Sequence, residues 1–176
     1  LASAVIIGEK AMNSTANHGS TGQIAIGMSA LNALTSGTDN LAIGYEAMKV
    51  HTTGASNIAI GYGAMNDTDA GSNSLDSDNN VAIGKDSMGG TWANAKSEWN
   101  VAVGNATMQA ALNAANSNTA IGNQALYLLT SGDENVAIGA NAGLKIQDGS
   151  YNSLLGSYAG QYATGSYNTF MGYKAG

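Results

Sequence analysis

The chain has 176 residues, 24 of them Gly, with no Pro, no Cys, a net charge of −6 and only 10% charged residues. Lack of Cys excludes disulfides and thiolate metal sites, and six Lys and Arg against twelve Asp and Glu argue against nucleic acid, whose phosphates need clustered basic residues. An apolar fraction of 44% argues against disorder, yet no apolar run nears the ~20 residues of a membrane-spanning helix, so no membrane insertion is expected.

From the N-terminus onward the chain repeats one phrase, Asn-x-Ala-Ile-Gly-x-x-Ala-Met/Leu. Its glycines stand at Gly8, Gly27, Gly44, Gly61, Gly84, Gly104, Gly122, Gly139, Gly156 and Gly172, at intervals of 16 to 23 residues around a basic period of about 17. Repeats that run from end to end predict a stacked array of similar units rather than separate domains. Residues 1–176 therefore read as one repeat domain, and the start at Leu1 reads as a fragment of a longer fibrous protein.

Within "NIAIG" (57–61), side chains alternate faces along a strand, so Ile58 and Ile60 point one way and Ala59 the other. Both sets are apolar, the pattern of a strand buried on both faces. A 17-residue turn encloses one narrow core; its other face needs a partner, most economically another copy of the chain. The expectation is an all-β fold, a parallel β-solenoid of about ten turns and roughly 50 Å, assembled as a homotrimer. The absence of Pro fits, since every interior strand needs its N–H groups.

The structural positions of the repeat follow. Asn40, Asn57, Asn80 and Asn135 belong to a column that can stack into a hydrogen-bonded ladder. Gly44, Gly61, Gly84 and Gly139 end each strand where the backbone must bend. The half-repeats "YEAMKV" (45–50) and "NQALYLL" (123–129) could be strands or single helical turns; second strands are favoured, with a short helical excursion possible in the Ala-rich 106–117. Met12, Met48, Met65, Met88 and Met108 are core fillers. In "NSLLG" (152–156) and "NTFMG" (168–172) the second position shrinks and the third grows, as though volume moved between two filled faces.

Chemistry could hide in the connections. His18 and His51 sit in different connections without Cys and read as solvated loop histidines. The acidic stretch 66–79 offers Asp67, Asp69, Asp76 and Asp78, whose oxygens suit Ca²⁺, but the EF-hand spacing fails at Val81 and Ser87, and a solvated loop is the plainer reading. The stretch 89–100 holds Trp92 and Trp99 with Lys96 and Glu98 between them, candidate contacts for a receptor or glycan, or else packing residues. Tyr151, Tyr158, Tyr162, Tyr167 and Tyr173 recur in successive turns and read as a stacked ladder. Dinucleotide, phosphate-loop and nucleophile-elbow patterns all fail, so no catalytic residues and no cofactor are expected.

The cores "NLAIG", "NIAIG", "NVAIG" and "NTAIG" resemble head repeats of trimeric autotransporter adhesins, which are left-handed parallel β-rolls. The longer unit, clearest in "GNQALYLLTSGDENVAIG" (122–139), is more similar to repeat regions of phage tail fibres. The resemblance covers the whole chain and implies a trimeric fibre segment in a virion tail that recognises a bacterial surface receptor such as a glycan. The alternatives are an adhesin head on a bacterial cell surface or a purely structural shaft.

Overall fold

A computed structural model describes residues 3–14, 20–68, 76–92 and 95–176. Ten strands of three residues follow one another as β1 (Val5–Ile7), β2 (Ile24–Ile26), β3 (Leu41–Ile43), β4 (Ile58–Ile60), β5 (Val81–Ile83), β6 (Val101–Val103), β7 (Thr119–Ile121), β8 (Val136–Ile138), β9 (Ser153–Leu155) and β10 (Thr169–Met171). They form one parallel sheet in sequence order, each strand paired only with its neighbours in the chain. Register is strict: Leu41 faces Ile58, Ala42 faces Ala59 and Ile43 faces Ile60, and the same columns continue above and below. The chain is thus a parallel β-solenoid of about nine turns, one strand per turn, with a sheet about 43 Å long at the usual strand spacing.

The asparagine column holds the turns in step. Asn118 is buried; its backbone N–H and its Nδ2 both donate to Asn100 Oδ1 at 3.0 Å, and Nδ2 also donates to the Gly132 carbonyl at 2.8 Å. Asn118 Oδ1 in turn accepts from the backbone N–H and Nδ2 of Asn135, at 3.0 and 2.9 Å. The pattern runs from Asn57 through Asn80, Asn100, Asn135 and Asn152 to Asn168. Each amide therefore satisfies buried backbone groups in its own turn and its neighbour's, as buried polar atoms require.

Each strand ends at a glycine for two reasons. Gly61 has φ +141°, a region L side chains avoid, and a Cβ there would run into the carbonyl oxygen of Gly84 in the next turn.

The second half-repeat is not a strand, contrary to the sequence expectation. Glu46 and Met48 have φ of 56° and 49°, with residues of ordinary φ between them, and this alternation cannot make extended backbone. Instead Ala47, Lys49 and His51 close successive tight turns onto Gly44, Glu46 and Met48, while Glu46, Met48 and Val50 donate their N–H groups to adjacent turns of the solenoid. Leu126 and Gln124 repeat the geometry, with φ of 48° and 55°. Left-handed conformations disfavour L residues; here they persist because the displaced N–H groups all find carbonyls. The Ala-rich 106–117 follows the same turns and contains no helix, so neighbour hydrogen bonding overrides its propensity.

The interior is one thin seam. Ala25, Ala42, Ala59, Ala82, Ala102 and Ala120 point inward from the sheet and are fully buried, and so are Leu31, Met48, Met65, Met88, Met108 and Leu126 from the turns opposite. At the last rungs the sizes exchange: inward Leu154 lies against Gly143 and Gly160, and Phe170 against Gly160 and Gly176. The larger third position is therefore compensated inside the turn, by glycine in the Met/Leu column, and not by transfer to the other face of the strand.

Replacing Asn118 by Ala removes the acceptor of the Asn135 N–H together with a donor to the Gly132 carbonyl and one to Asn100 Oδ1, and should destabilise by about 3 kcal/mol or more, at 1–3 kcal/mol per buried unsatisfied group. Urea denaturation of Asn118→Ala checks this; a loss under about 1 kcal/mol would show that the ladder is not a principal restraint.

Candidate functional site

The strands present their large side chains outward. Two columns run along the outer face of the sheet, one from Val5 to Thr169 and one from Ile7 to Met171. Seventeen of these twenty positions are apolar, Thr119, Ser153 and Thr169 are polar, and none is charged. The side chains are half-buried by their neighbours along each column and otherwise open; Val5, Ile7, Ile24, Ile121, Val136, Ile138, Leu155 and Met171 are exposed. The result is a flat apolar stripe about 43 Å long with about 7 Å between its columns. A contiguous apolar stripe of that length marks an interaction surface.

Two sets of residues border the stripe. On one side, just past the strand glycines, Tyr45 and Tyr62 stack with centroids 5.1 Å apart, and Lys85 Nζ lies 5.7 Å from the Tyr62 ring. Beside them Lys49 pairs with Glu46 at 2.9 Å. The hydrogen bond to Lys49 holds the Glu46 carboxyl below its usual pKa and the same contact raises Lys49, while hydrogen bonding to Glu46 raises Tyr45. The pair is partly exposed, so it adds little stability. On the other side, immediately before the ladder asparagines, stand Asp39, Ser56, Trp99, Ser117, Glu134, Tyr151 and Tyr167, every one at positive φ.

The four residues singled out in 89–100 separate. Trp92 is 0% exposed, and its indole Nε1–H donates to the Met88 carbonyl at 3.3 Å. It belongs to the interior column that holds Leu112, Leu129 and Ile146 in later turns, and cannot serve as a surface contact in this structure. No sequence signal separates it from Trp99 except its position four residues after Met88, in the inward column. Trp99 is 60% exposed at the edge of the stripe, two residues before Val101. Lys96 and Glu98 lie beside it, 3.6 Å apart and partly exposed.

The same interior column corrects the reading of His51. The imidazole is buried, not solvated: Nδ1 is 2.9 Å from Thr68 Oγ1, and Nε2 is 3.3 Å from Asn57 Nδ2. Asn57 Nδ2 can only donate, so as a hydrogen bond that contact has Nε2 as its acceptor. His18 lies outside the described residues.

Asp67, Asp76 and Asp78 make separate hydrogen bonds to different partners. Asp78 Oδ1 accepts from the Ala55 N–H at 2.6 Å, Asp67 accepts from the Thr91 hydroxyl, and the Asp76 N–H donates to Thr53 Oγ1 at 3.0 Å. Asp69 lies outside the described residues. Among the described residues no three His, Cys, Asp or Glu side chains come together as metal ligands.

The late tyrosines are not one ladder. Tyr151 and Tyr167 stack at 5.1 Å beside the asparagine column, Tyr158 and Tyr173 meet edge to face at 6.0 Å on another edge, and Tyr162 stands apart under Lys145. No described helix is long and apolar enough to cross a membrane. Models of known protein families, curated proteins and solved structures give no match to this chain.

The two tryptophans should behave oppositely on truncation. Trp92→Ala should cost about 3–5 kcal/mol, as for other buried aromatics, and Trp99→Ala within about 0.5 kcal/mol, as for a surface site. Paired chemical denaturation curves check this; equal losses would contradict the burial assignments.

Proposed function

We propose that the chain is a rod segment of an attachment fibre, of the phage tail-fibre kind, in which three copies join along their outer sheet faces and the assembly contacts a bacterial cell-surface receptor. The observation that carries this reading is the uncharged apolar stripe running the full length of the sheet. A long narrow stripe suits assembly about an axis parallel to the rod, with each copy turning its stripe towards the axis. Side-by-side strands with strict register keep the stripe straight, so copies match at every rung. Extended rods of this kind suit mechanical reach outside a cell, on a virion or on a bacterial surface.

Receptor contact falls to what the stripe leaves outside. Lys96, Glu98 and Trp99 form a raised polar and aromatic edge there, and Trp99 offers a large, rigid apolar surface with an N–H donor. The plain-shaft reading gains from the burial of Trp92, which removes half of the tryptophan pair from the surface.

The reading is tested by placing charge in the stripe. Ile60→Lys with Ile83→Lys puts two cations on adjacent rungs of the outer face, leaving the inner seam and the ladder untouched. Size-exclusion chromatography should show these rods eluting as protomers, while Trp99→Ala elutes with the wild type. Fluorescently labelled wild type should adhere to cells within a panel of bacterial strains, and Trp99→Ala should adhere less. Unchanged assembly of the lysine variant would overturn the interface; no adhesion to any strain would leave the shaft reading in its place.

A further inference from the structure

A second surface lies on the far side of the solenoid from the stripe. Lys145 is seven residues past the end of β8 and eight before the start of β9, so it stands midway round its turn, away from the sheet. There Leu128, Lys145, Gln147, Asp148 and Thr164 line an open groove of about 300 Å³. Tyr162 stands beside it, exposed, with its ring centroid 4.9 Å from Lys145 Nζ.

The groove has an ordered polar wall. Asp148 Oδ1 accepts from the hydroxyls of Thr130 and Ser131 at 2.8 and 2.9 Å. Those two bonds, the Thr130 one foremost, hold the carboxyl below its usual pKa, so it stays ionised in neutral solution. Both bonds fall on Oδ1, so neither occupies Oδ2, and the residue lines the groove. Lys145 makes no ion pair among the described residues, and its ammonium is held over an aromatic face. In the same column Leu128 and Ala110 stand one and two turns earlier, so the cation enters the column only at Lys145.

An exposed aromatic ring, a fixed carboxylate, an amide, a hydroxyl and a cation around one shallow groove match a polyhydroxylated ring with one apolar face. We propose that this groove binds a glycan chain: a sugar ring stacks on Tyr162, vicinal hydroxyls donate to Asp148, and Lys145 donates to a ring substituent. The rung spacing of about 4.8 Å is close to the length of one sugar residue, which lets a chain run along the rod. Because the groove faces away from the stripe, it stays open when the stripe is covered. This rests on the attachment reading and gives the receptor its chemical class.

The test is a glycan array of bacterial-type oligosaccharides probed with labelled wild type, Tyr162→Ala, Tyr162→Phe and Asp148→Asn, run beside adhesion to the bacterial strain panel. These side chains are exposed, and circular dichroism with elution volume verifies that each variant folds and assembles. The expected result is binding of the wild type and Tyr162→Phe to a common set of glycans, with about tenfold or greater weakening in Tyr162→Ala and Asp148→Asn. Array binding retained in both weakened variants overturns the groove and leaves attachment standing, as does adhesion to cells without array binding. Absence of both array binding and adhesion removes the attachment reading and this site with it.

Discussion

The interior of each turn is too narrow for large side chains on both of its walls, and the rest of the molecule follows from that. With Met or Leu reaching in from the turn, Ala stands on the inward side of the strand in every turn from Ala25 to Ala120, as at Ala59 opposite Met65. Where the turn supplies glycine, at Gly160 and Gly176, the strand supplies Leu154 and Phe170 instead. The β-branched and long residues that a three-residue strand needs must then go outward, and they build the apolar stripe.

A thin seam stabilises a turn weakly, so polar interactions carry an unusual share of the specification. From Asn57 to Asn152 the ladder couples each turn to its neighbours through two hydrogen bonds to one Oδ1 and a third to a carbonyl of the following connection. Stability in such an array is close to a sum of neighbour terms. A defect in one rung therefore propagates only locally, which accommodates connections of different length between otherwise identical cores. Trp92 and Leu112 fill the same interior column although four residues separate each from its Met, where other turns use three.

The repeat, the strands and the roles of Asn and Gly were legible in the sequence because each depends on alternation or on one residue type at a fixed place. Asn57 and Gly61 announce themselves by recurrence alone. The second half-repeat was not legible: "YEAMKV" mixes strand formers with helix formers, and nothing local reveals that Glu46 and Met48 take positive φ, a choice made by the carbonyls of adjacent turns. His51 and Trp92 were misplaced for a related reason. Their interior column holds Leu, Ile, His, Thr and Trp in different turns, so it has a position but no residue signature. The groove around Asp148 was missed because its members come from three successive turns and no motif joins them.

The account stands on the outer face being covered by sister chains. Sedimentation equilibrium of the wild-type protein, followed down a dilution series, tests this most directly. The prediction is a single species at three times the protomer's 17.7 kDa, holding that mass on dilution. A folded species that sediments at the protomer mass throughout would contradict it.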